Sequence, residues 1–533
     1  MRLMQKPQHV SNRRPTLLLV CAVAFLSFAG TTGSLAQQSV ANQPVANSPT
    51  DNIGFPQGIA AGDVTPSSVV LWTRTHKAAE LRLQVSKDSG FKSAEDLQSF
   101  ELQTTQDKDF TVQQEVDGLE ASTLYHYRFA VSDPQENPST IQGTFRTAPK
   151  TDASHLPSFL VAGDVGGQAI CRHRERGYAA FRPMAELGAD FFVANGDMIY
   201  ADNPCPPVGH DGWPNIPGDF PAILNVDWSV PGAAKEAILG HWRYNRADPH
   251  QQALLAATPI YVQWDDHEVI NDFGAPWPHW PNDPERAGYP TLVKDAKDAL
   301  FEFNPIRPHP DEPQRIYRSF RWGKYLELFL LDARSYRDAN DKIDGPDKTL
   351  LGAEQLAWLK KGLKESDATW KIVSSDVPLS FPTGWEAELW GRDAFASGER
   401  KDFSKRTGFE HELLDWLTFV DRENIENMVV VVTDVHFAAN LRYDLDLDGD
   451  GDRLLFHELI NGPLNAYKLP VPPKPDETLK PIILYAEGGI FNFSYVRLEE
   501  KATESGKAVH LIAEIHDDKG EVRFGSRLEL APR

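Results

Sequence analysis

Six short apolar runs, each cut off by acidic or polar residues, constrain this chain more than any other feature of its sequence. They are FLVAGD, FFVANGD, IYVQWDD, LELFLLDAR, WKIVSSD and MVVVVTDVH, which begin at Phe159, Phe191, Ile260, Leu326, Trp370 and Met428. Bounded runs of this length read as strands. Between them lie GYAAFRPMAEL, AKEAILGHWRYN, LLGAEQLAWLKKGLK and GFEHELLDWLTFV, with apolar residues near the i, i+3, i+4, i+7 spacing of amphipathic helices. Alternating strands and helices imply an α/β layered fold. In α/β sheets, ligands bind outside the C-terminal strand ends. Every one of the six runs delivers its polar residues there, so six strand ends can converge on one site.

The chain before Pro149-Lys150 has a different texture. From Phe55 to Thr147 it runs in β-type stretches, SSVVLWTRT, ELRLQVS, FTVQQEV, LYHYRFAV and TIQGTFRTA, separated by Gly, Pro, Asp and Ser. Leu81-Arg82-Leu83-Gln84-Val85 alternates as a strand with one wet face does. Short strands at this spacing predict a small all-β sandwich of immunoglobulin or fibronectin type over residues 53–150. It carries no cluster of catalytic side chains and reads as a packing or spacer module. A length of 533 residues, with 41% hydrophobic and 24% charged, suits that module plus one large catalytic domain over 151–533.

A catalytic metal site needs oxygen and nitrogen ligands brought together from several strand ends. Asp164 closes FLVAGD ahead of Gly166-Gly167, which would let backbone approach a ligand closely, although Asp-x-Gly after a strand is also an ordinary turn. Asp197 closes FFVANGD, with Tyr200 three residues on: a carboxylate able to bridge two cations and a phenol able to ligate a hard one such as Fe(III). Asp265-Asp266-His267-Glu268 follows IYVQW, and four consecutive ionisable residues there are costly unless cations or partners compensate them. Thr433-Asp434-Val435-His436 follows MVVVV and places an Asp and a His on one side of an extended segment, a capping Asp and a core His being the bland alternative.

This order of strand ends resembles the metallophosphoesterase superfamily, and within it the PhoD-like alkaline phosphatases and phosphodiesterases. GIAAGDVTPSSVVLWTR (58–74), NGDMIYAD, WDDHEVINDFG, LDARSYR, TDVHFA and FNFSYVRLE carry the likeness across nearly the whole mature chain. The resemblance implies a four-layer metallophosphoesterase-type β-sandwich flanked by helices. It implies hydrolysis of phosphate mono- or diesters by metal-activated water, with two or more metal ions, Fe(III) and Ca(II). It assigns Asp164, Asp197, Tyr200, Asp266, Asp434 and His436 to the metals, with Asp197 bridging and Asp376 as a further ligand or supporting group. His267 would protonate the leaving alkoxide, Arg334 would clamp the phosphate, and Asn271 would contact substrate or a metal. Glu268 and Asp265 would orient ligands rather than bind. One departure bears on the metals. Where the family commonly places a Cys at the first strand end, this chain has Asp164, and a carboxylate in place of a thiolate favours harder cations.

The net charge of −22 excludes a nucleic-acid-coating role, and a phosphate ligand would need local positive charge, of which metal ions are one source. Its substrate would be a small phosphate ester, with phospholipid and polymer phosphodiesters among the candidates. Arg13-Arg14, an apolar run from Leu17 to Phe28 and Ser34-Leu35-Ala36 read as an export signal over 1–36 of twin-arginine type, followed by a linker over 37–52. The protein would use the export machinery and be secreted or periplasmic, with no transmembrane segment in the mature chain. Cys21 leaves with the signal, and Cys171 and Cys205 could pair in an oxidising compartment. DLDLDGDGD (444–452) resembles a calcium loop but lacks the closing Glu, with Leu455 or His457 at that position. Trp213, Trp277 and Trp280 would line the pocket or cover the core, and the stretch from Asn203 to Pro231 is a lid candidate. Two rival readings stay open: a phosphatase-fold protein with shifted ester specificity, including phospholipase-D-like cleavage, and a non-catalytic surface binding protein.

Overall fold

The computed structural model describes residues 54–131, 139–274, 289–384, 387–504 and 506–533. The expected export signal and linker, and Trp277 and Trp280, lie outside them. The strands form three sheets. A nine-stranded sheet combines β1 (Ile59–Gly62), β2 (Val69–Arg74) and β5 (Thr111–Val116) with β8 (Ser158–Ala162), β9 (Phe191–Asn195), β10 (Ile260–Gln263), β18 (Asn492–Thr503), β19 (Gly506–Asp517) and β20 (Leu528–Leu530), in the order β20-β19-β18-β8-β9-β10-β1-β2-β5. A seven-stranded sheet orders β11 (Arg318–Trp322), β12 (Leu326–Leu330), β13 (Trp370–Ser374), β14 (Met428–Val432), β16 (Leu454–Ile460), β15 (Ala438–Leu445) and β17 (Ile482–Glu487). The third sheet has four strands, β4 (Gln98–Thr104), β3 (Ala79–Ser86), β6 (Leu124–Val131) and β7 (Ser139–Arg146).

Period-2 burial sorts the side chains of each strand between layers. Phe159, Val161, Phe191 and Val193 face Leu328, Leu330, Ile372, Val429 and Val431 in a core between the two large sheets. Their neighbours Leu160, Ala162, Phe192 and Ala194 face outward onto α1 (Phe181–Leu187), α2 (Ala233–Arg246), α3 (Pro249–Ala257) and α4 (Tyr289–Phe303). On the far side Phe329, Val373, Val430 and Val432 meet α5 (Ala353–Glu365) and α7 (Glu410–Arg422), while α6 (Ala387–Trp390) is a single turn. The result is the expected four-layer sandwich, helices outside two face-to-face sheets. No helix among the described residues is long and apolar enough to cross a membrane.

Register brings the strand ends to one edge. β8, β9 and β10 are parallel, with Ala162 beside Ala194 and Asn195 beside Gln263. In the other sheet Leu330, Ser374 and Val431 are level. The strands therefore end together, and Asp164, Asp197, Asp265, Asp332 and Asp376 leave from one rim. Buried polar side chains fasten the sheets there. The Asn195 amide donates to the Val431 carbonyl (3.2 Å), and Thr433 Oγ1 donates to the Asn195 carbonyl (2.6 Å). The Gln263 amide donates to the carbonyls of Leu331 (2.7 Å) and Ser374 (2.9 Å).

The N-terminal sandwich shares a sheet with the rest of the chain. One of its sheets, β1-β2-β5, is the continuation of the nine-stranded sheet, because β1 pairs in parallel with β10 at Gly62 and Ile260. Leu81, Leu83 and Tyr127 belong to the same core as Val161, Val193 and Leu328. The join is fastened by Asp63, fully buried, which accepts from Arg318 Nη2 (2.7 Å) and Nε (2.9 Å) and from the Arg307 backbone N–H (2.8 Å). Removing one partner of such a pair strands the other charge, at a cost of about 3–5 kcal/mol. Asp63→Ala is therefore expected to destabilise the whole described fold by that amount. Urea unfolding that shows a loss under about 1 kcal/mol, or melting of the β-module alone, would contradict this coupling.

Candidate metal centre

The strand ends turn through unusual backbone. Asp164, Asp197, Asp434 and His436 have φ of 60°, 52°, 75° and 55°, in the left-handed region. Each such residue costs about 1 kcal/mol or more unless surrounding contacts hold it, Asp tolerating it better than most. This corrects the expectation for TDVH: β14 stops at Val432, and residues 433–436 form a turn instead of an extended segment. Asp434 and His436 consequently join different groups of side chains.

Ligand atoms of Asp164, Asp197 and His436 lie within 4.8 Å of one another, as do those of Asp197, Asp266 and His267, of Asp265, Asp266 and Asp434, and of Asp266, Asp272 and Asp393. Asp197 belongs to two of these groups and Asp266 to three. Tyr200 is buried with its hydroxyl 2.8 Å from His436 Nε2, and its ring lies 4.0 Å from that of His267. His436 Nδ1 donates to the Tyr467 carbonyl, which turns Nε2 toward Tyr200 and toward Asp164 Oδ1 at 3.8 Å. Gly462, at φ 88°, borders the Asp164 carboxylate so closely that a Cβ there would fall 2.0 Å from Oδ2.

Several carboxylate oxygens in this cluster are buried without a hydrogen-bond partner: Asp164 Oδ2, Asp265 Oδ2, Asp266 Oδ1, Asp434 Oδ2 and both oxygens of Asp376. Burial, and then neighbouring acids, push Asp164, Asp197 and Asp434 well above the carboxylate range. Burial likewise pushes Tyr200 up and drops His436 to about 4. Carboxylate oxygens without hydrogen-bond partners beside a neutral imidazole are what hard metal ions require, so the residues fit cation binding.

Around them stand groups that position without joining. Glu268, fully buried, accepts the backbone N–H of Met198 (2.7 Å), Asp265 (2.9 Å) and Asp197 (3.2 Å), tying two strand ends together. His267 Nδ1 bonds Asp202 Oδ1 (2.7 Å), whose other oxygen accepts the Asn271 N–H (3.0 Å). Although burial pulls His267 down, Asp202 and Asp266 raise it to about 9. Asn271 itself is half-buried.

Arg334, expected to clamp phosphate, is engaged by carboxylates of the protein. It is fully buried, with Nε on Asp265 (2.6 Å) and Nη1 and Nη2 on the two oxygens of Asp393 (2.7 and 2.9 Å). Its fork already holds protein carboxylates in the bidentate manner proposed for phosphate. Sequence reasoning missed Asp202 and Asp393. Asp202 ends the NGDMIYAD motif and could have been noticed there, whereas Asp393 follows no strand and carries no local signal. Cys171 and Cys205 are joined as a disulfide, which removes Cys171 from any ligand set. Trp213 is half-buried against Phe491 and donates to the Cys171 carbonyl (3.0 Å). In the acidic loop, Asp446 and Asp448 are exposed beside Asp421, whose carboxylate accepts from the Leu447 N–H (2.6 Å).

Comparison with known proteins gives a consistent result. The profile of the family described as "PhoD-like phosphatase" matches residues 165–481, and that of "PhoD-like phosphatase, N-terminal domain" matches residues 39–149. Alkaline phosphatase D of Bacillus subtilis (strain 168) is 28% identical over 421 residues, a match that covers 74% of this chain and 66% of that protein's length. The solved structure titled "Structure of PhoD" superposes with a TM-score of 0.67 at 22% identity, over 91% of this chain and 93% of that one. The purple acid phosphatase PPD1 from yellow lupin (Lupinus luteus) seeds shares the fold with a TM-score of 0.54 at 11% identity, over 89% and 73%.

The buried acids also set a pH dependence. Burial raises Asp376 from 3.8 and Glu268 from 4.5, each to about 7. Between about pH 4 and 7 the folded chain then binds protons that the unfolded chain has released, so these groups stabilise the fold fully below that window and lose the effect as pH rises through it. Chelator-treated protein is expected to melt at progressively lower temperature from pH 4.5 to 7.5, and Asp376→Asn to flatten the slope. An Asp376→Asn slope equal to that of the unaltered chain would refute the assignment.

Proposed function

The chain belongs to the PhoD-like phosphatase family, a family of phosphoesterase hydrolases, and from that premise we propose that it is an exported, metal-dependent enzyme that hydrolyses phosphate mono- or diesters at the carboxylate rim. One observation carries the proposal: Asp197 belongs to two and Asp266 to three overlapping ligand groups, in which oxygens of Asp164, Asp265, Asp266 and Asp434 are buried without a hydrogen-bond partner. Asp164, Tyr200 and His436 would hold one cation, Asp266 and Asp434 another, and Asp197 both. The donors are oxygen and nitrogen only, which suits hard cations, Fe(III) and Ca(II) among them. Bound there, such ions would polarise the phosphoryl group and lower the pKa of an attacking water.

The chain's own residues supply the rest. His267 carries a proton on Nδ1 toward Asp202, which fixes the ring and leaves Nε2 as the atom that can protonate a departing alkoxide. Asp202 also holds the backbone of Asn271, which supports substrate contact by that half-buried amide. Glu268 fixes the backbone of Asp197 and Asp265. Arg334 acts through Asp265 and Asp393 as a positioning residue and a fixed positive charge. The twin-arginine-like N-terminus and the disulfide support an oxidising destination outside the cytoplasm.

Two measurements test this reading. Protein from the exported fraction is expected to contain stoichiometric transition metal, with or without calcium, and to hydrolyse p-nitrophenyl phosphate or its bis ester, an activity abolished in Asp197→Asn. Metal-free protein inert to both esters would leave the binding-protein alternative standing. If His267 is the acid, His267→Gln should lower kcat by about 10²–10⁴ for alkyl esters, whose leaving groups need a proton, and far less for p-nitrophenyl esters. Equal losses on both would exclude that role.

A further inference from the structure

We propose that the Cys171–Cys205 disulfide is a positioning element of the metal centre, which clamps the loop after Asp164 onto the ring of Tyr200 and thereby slows loss of the cation those two residues share. The inference rests on the metal-centre reading above. The two cysteines, 34 positions apart with Cα atoms at 5.8 Å, sit on the two loops that matter. Cys171 is fully buried at the end of the loop that begins at Asp164, and Cys205 follows Tyr200 by five residues and Asp202 by three.

Neither loop has regular structure beyond short 3₁₀ turns at His210–Gly212 and Ile223–Asn225, so side chains and backbone crossings hold them. Gly167 lies flat on Tyr200, where a Cβ would fall 2.4 Å from the ring. Of the glycine pair expected to approach a ligand, Gly167 approaches the Tyr200 ring and Gly166 borders the Tyr178 hydroxyl. The Val165 N–H reaches the Asp197 carbonyl (2.8 Å). Asn215 bridges the two loops, accepting the Cys171 N–H (2.9 Å) and donating to the carbonyls of Ala169 (3.0 Å) and Pro206 (2.8 Å). Asn465 donates to the carbonyls of Ile170 (2.8 Å) and Cys171 (3.1 Å).

When a cation leaves, Asp164 and Tyr200 lose the charge that draws these walls together, and the individual hydrogen bonds to backbone that remain are weak. The cross-link forbids the loops to separate independently, since a covalent tie between distant residues removes open states. Release of the cation bound by Asp164, Tyr200 and His436 then has to proceed through a closed wall. The Asn203–Pro231 stretch, expected as a lid, is for the same reason anchored at its start.

The test compares the full chain with its Cys171→Ser/Cys205→Ser variant. Both are loaded with Mn(II), a hard cation suited to an oxygen-rich set, and its loss into excess EDTA is followed by elemental analysis of the protein fraction, with circular dichroism as the check of fold. The double variant is expected to lose Mn(II) at least tenfold faster, and its p-nitrophenyl phosphate kcat to fall at limiting Mn(II) and recover in excess, with KM little changed. Unaltered protein treated with tris(2-carboxyethyl)phosphine should behave the same. In that step the disulfide takes up two electrons and two protons to become two thiols, and the phosphine becomes its oxide with oxygen from water. Reoxidation should restore slow loss. Should the double variant not fold, the reduced unaltered chain carries the comparison. A folded reduced form that releases Mn(II) at the rate of the oxidised one, even with a lower melting temperature, overturns the proposal. An unaltered chain that takes up no Mn(II) overturns the metal-centre reading itself, and shows this before any variant is compared.

Discussion

Crowding acids into one dry volume is the constraint around which this molecule is organised. Two unit charges of like sign 4 Å apart repel by about 4 kcal/mol at the effective dielectric of a protein site, and here Asp164, Asp197, Asp265, Asp266, Asp376 and Asp434 gather from both sheets at one rim. Nothing in hydrophobic packing alone would hold them there. The inter-sheet hydrogen bonds of Asn195, Gln263 and Thr433 oppose the spreading of the rim, and left-handed turns keep the acids facing each other. Glu268 closes three backbone N–H groups that would otherwise be orphaned by those turns.

Charge is handled in two ways at this rim. Arg334 is a permanent cation, enclosed by Asp265 and Asp393, and it neutralises one end of the cluster whatever else is bound. At the other end Asp164 Oδ2 and Asp434 Oδ2 have no hydrogen-bond partner, while Asp197 Oδ1 accepts the His267 backbone N–H (3.1 Å). An overall charge of −22 makes the contrast functional: long-range attraction of a phosphate ester is absent, so capture would depend on the few ångströms around the uncompensated end.

Much of this was legible in the sequence, for a physical reason. The six apolar runs are buried strands, and burial leaves a strong signal. β9, β10, β12, β13 and β14 lie inside FFVANGD, IYVQWDD, LELFLLDAR, WKIVSSD and MVVVVTDVH, and β8 starts one residue before FLVAGD. Small or mixed strands such as IAAG in β1 and QSFELQT in β4 leave little. At the rim, Asp164, Asp197 and Asp266 could be found because each follows a strand directly. Arg334 also follows a strand, but its partner Asp393 comes from a distant loop and only the fold brings that carboxylate to the guanidinium. The geometry of TDVH was misread, because the alternation that governs strands fails at the residue where the chain turns. Sheet continuity across residue 150 was invisible for a related reason: a change of texture along a chain marks a change of local structure and says nothing of which strands later pair.

That continuity has a consequence for the chain's evolution and handling. β10 is the last parallel strand of the catalytic half, and β1 is what covers its outer row of backbone groups. The N-terminal module therefore serves as the guard of a sheet margin that would otherwise be a template for intermolecular pairing. A shortened form beginning after residue 150 would keep every rim carboxylate yet bare a strand of Ile260, Tyr261 and Val262, and its fate in solution would be decided by self-association before chemistry at the rim had any part in it.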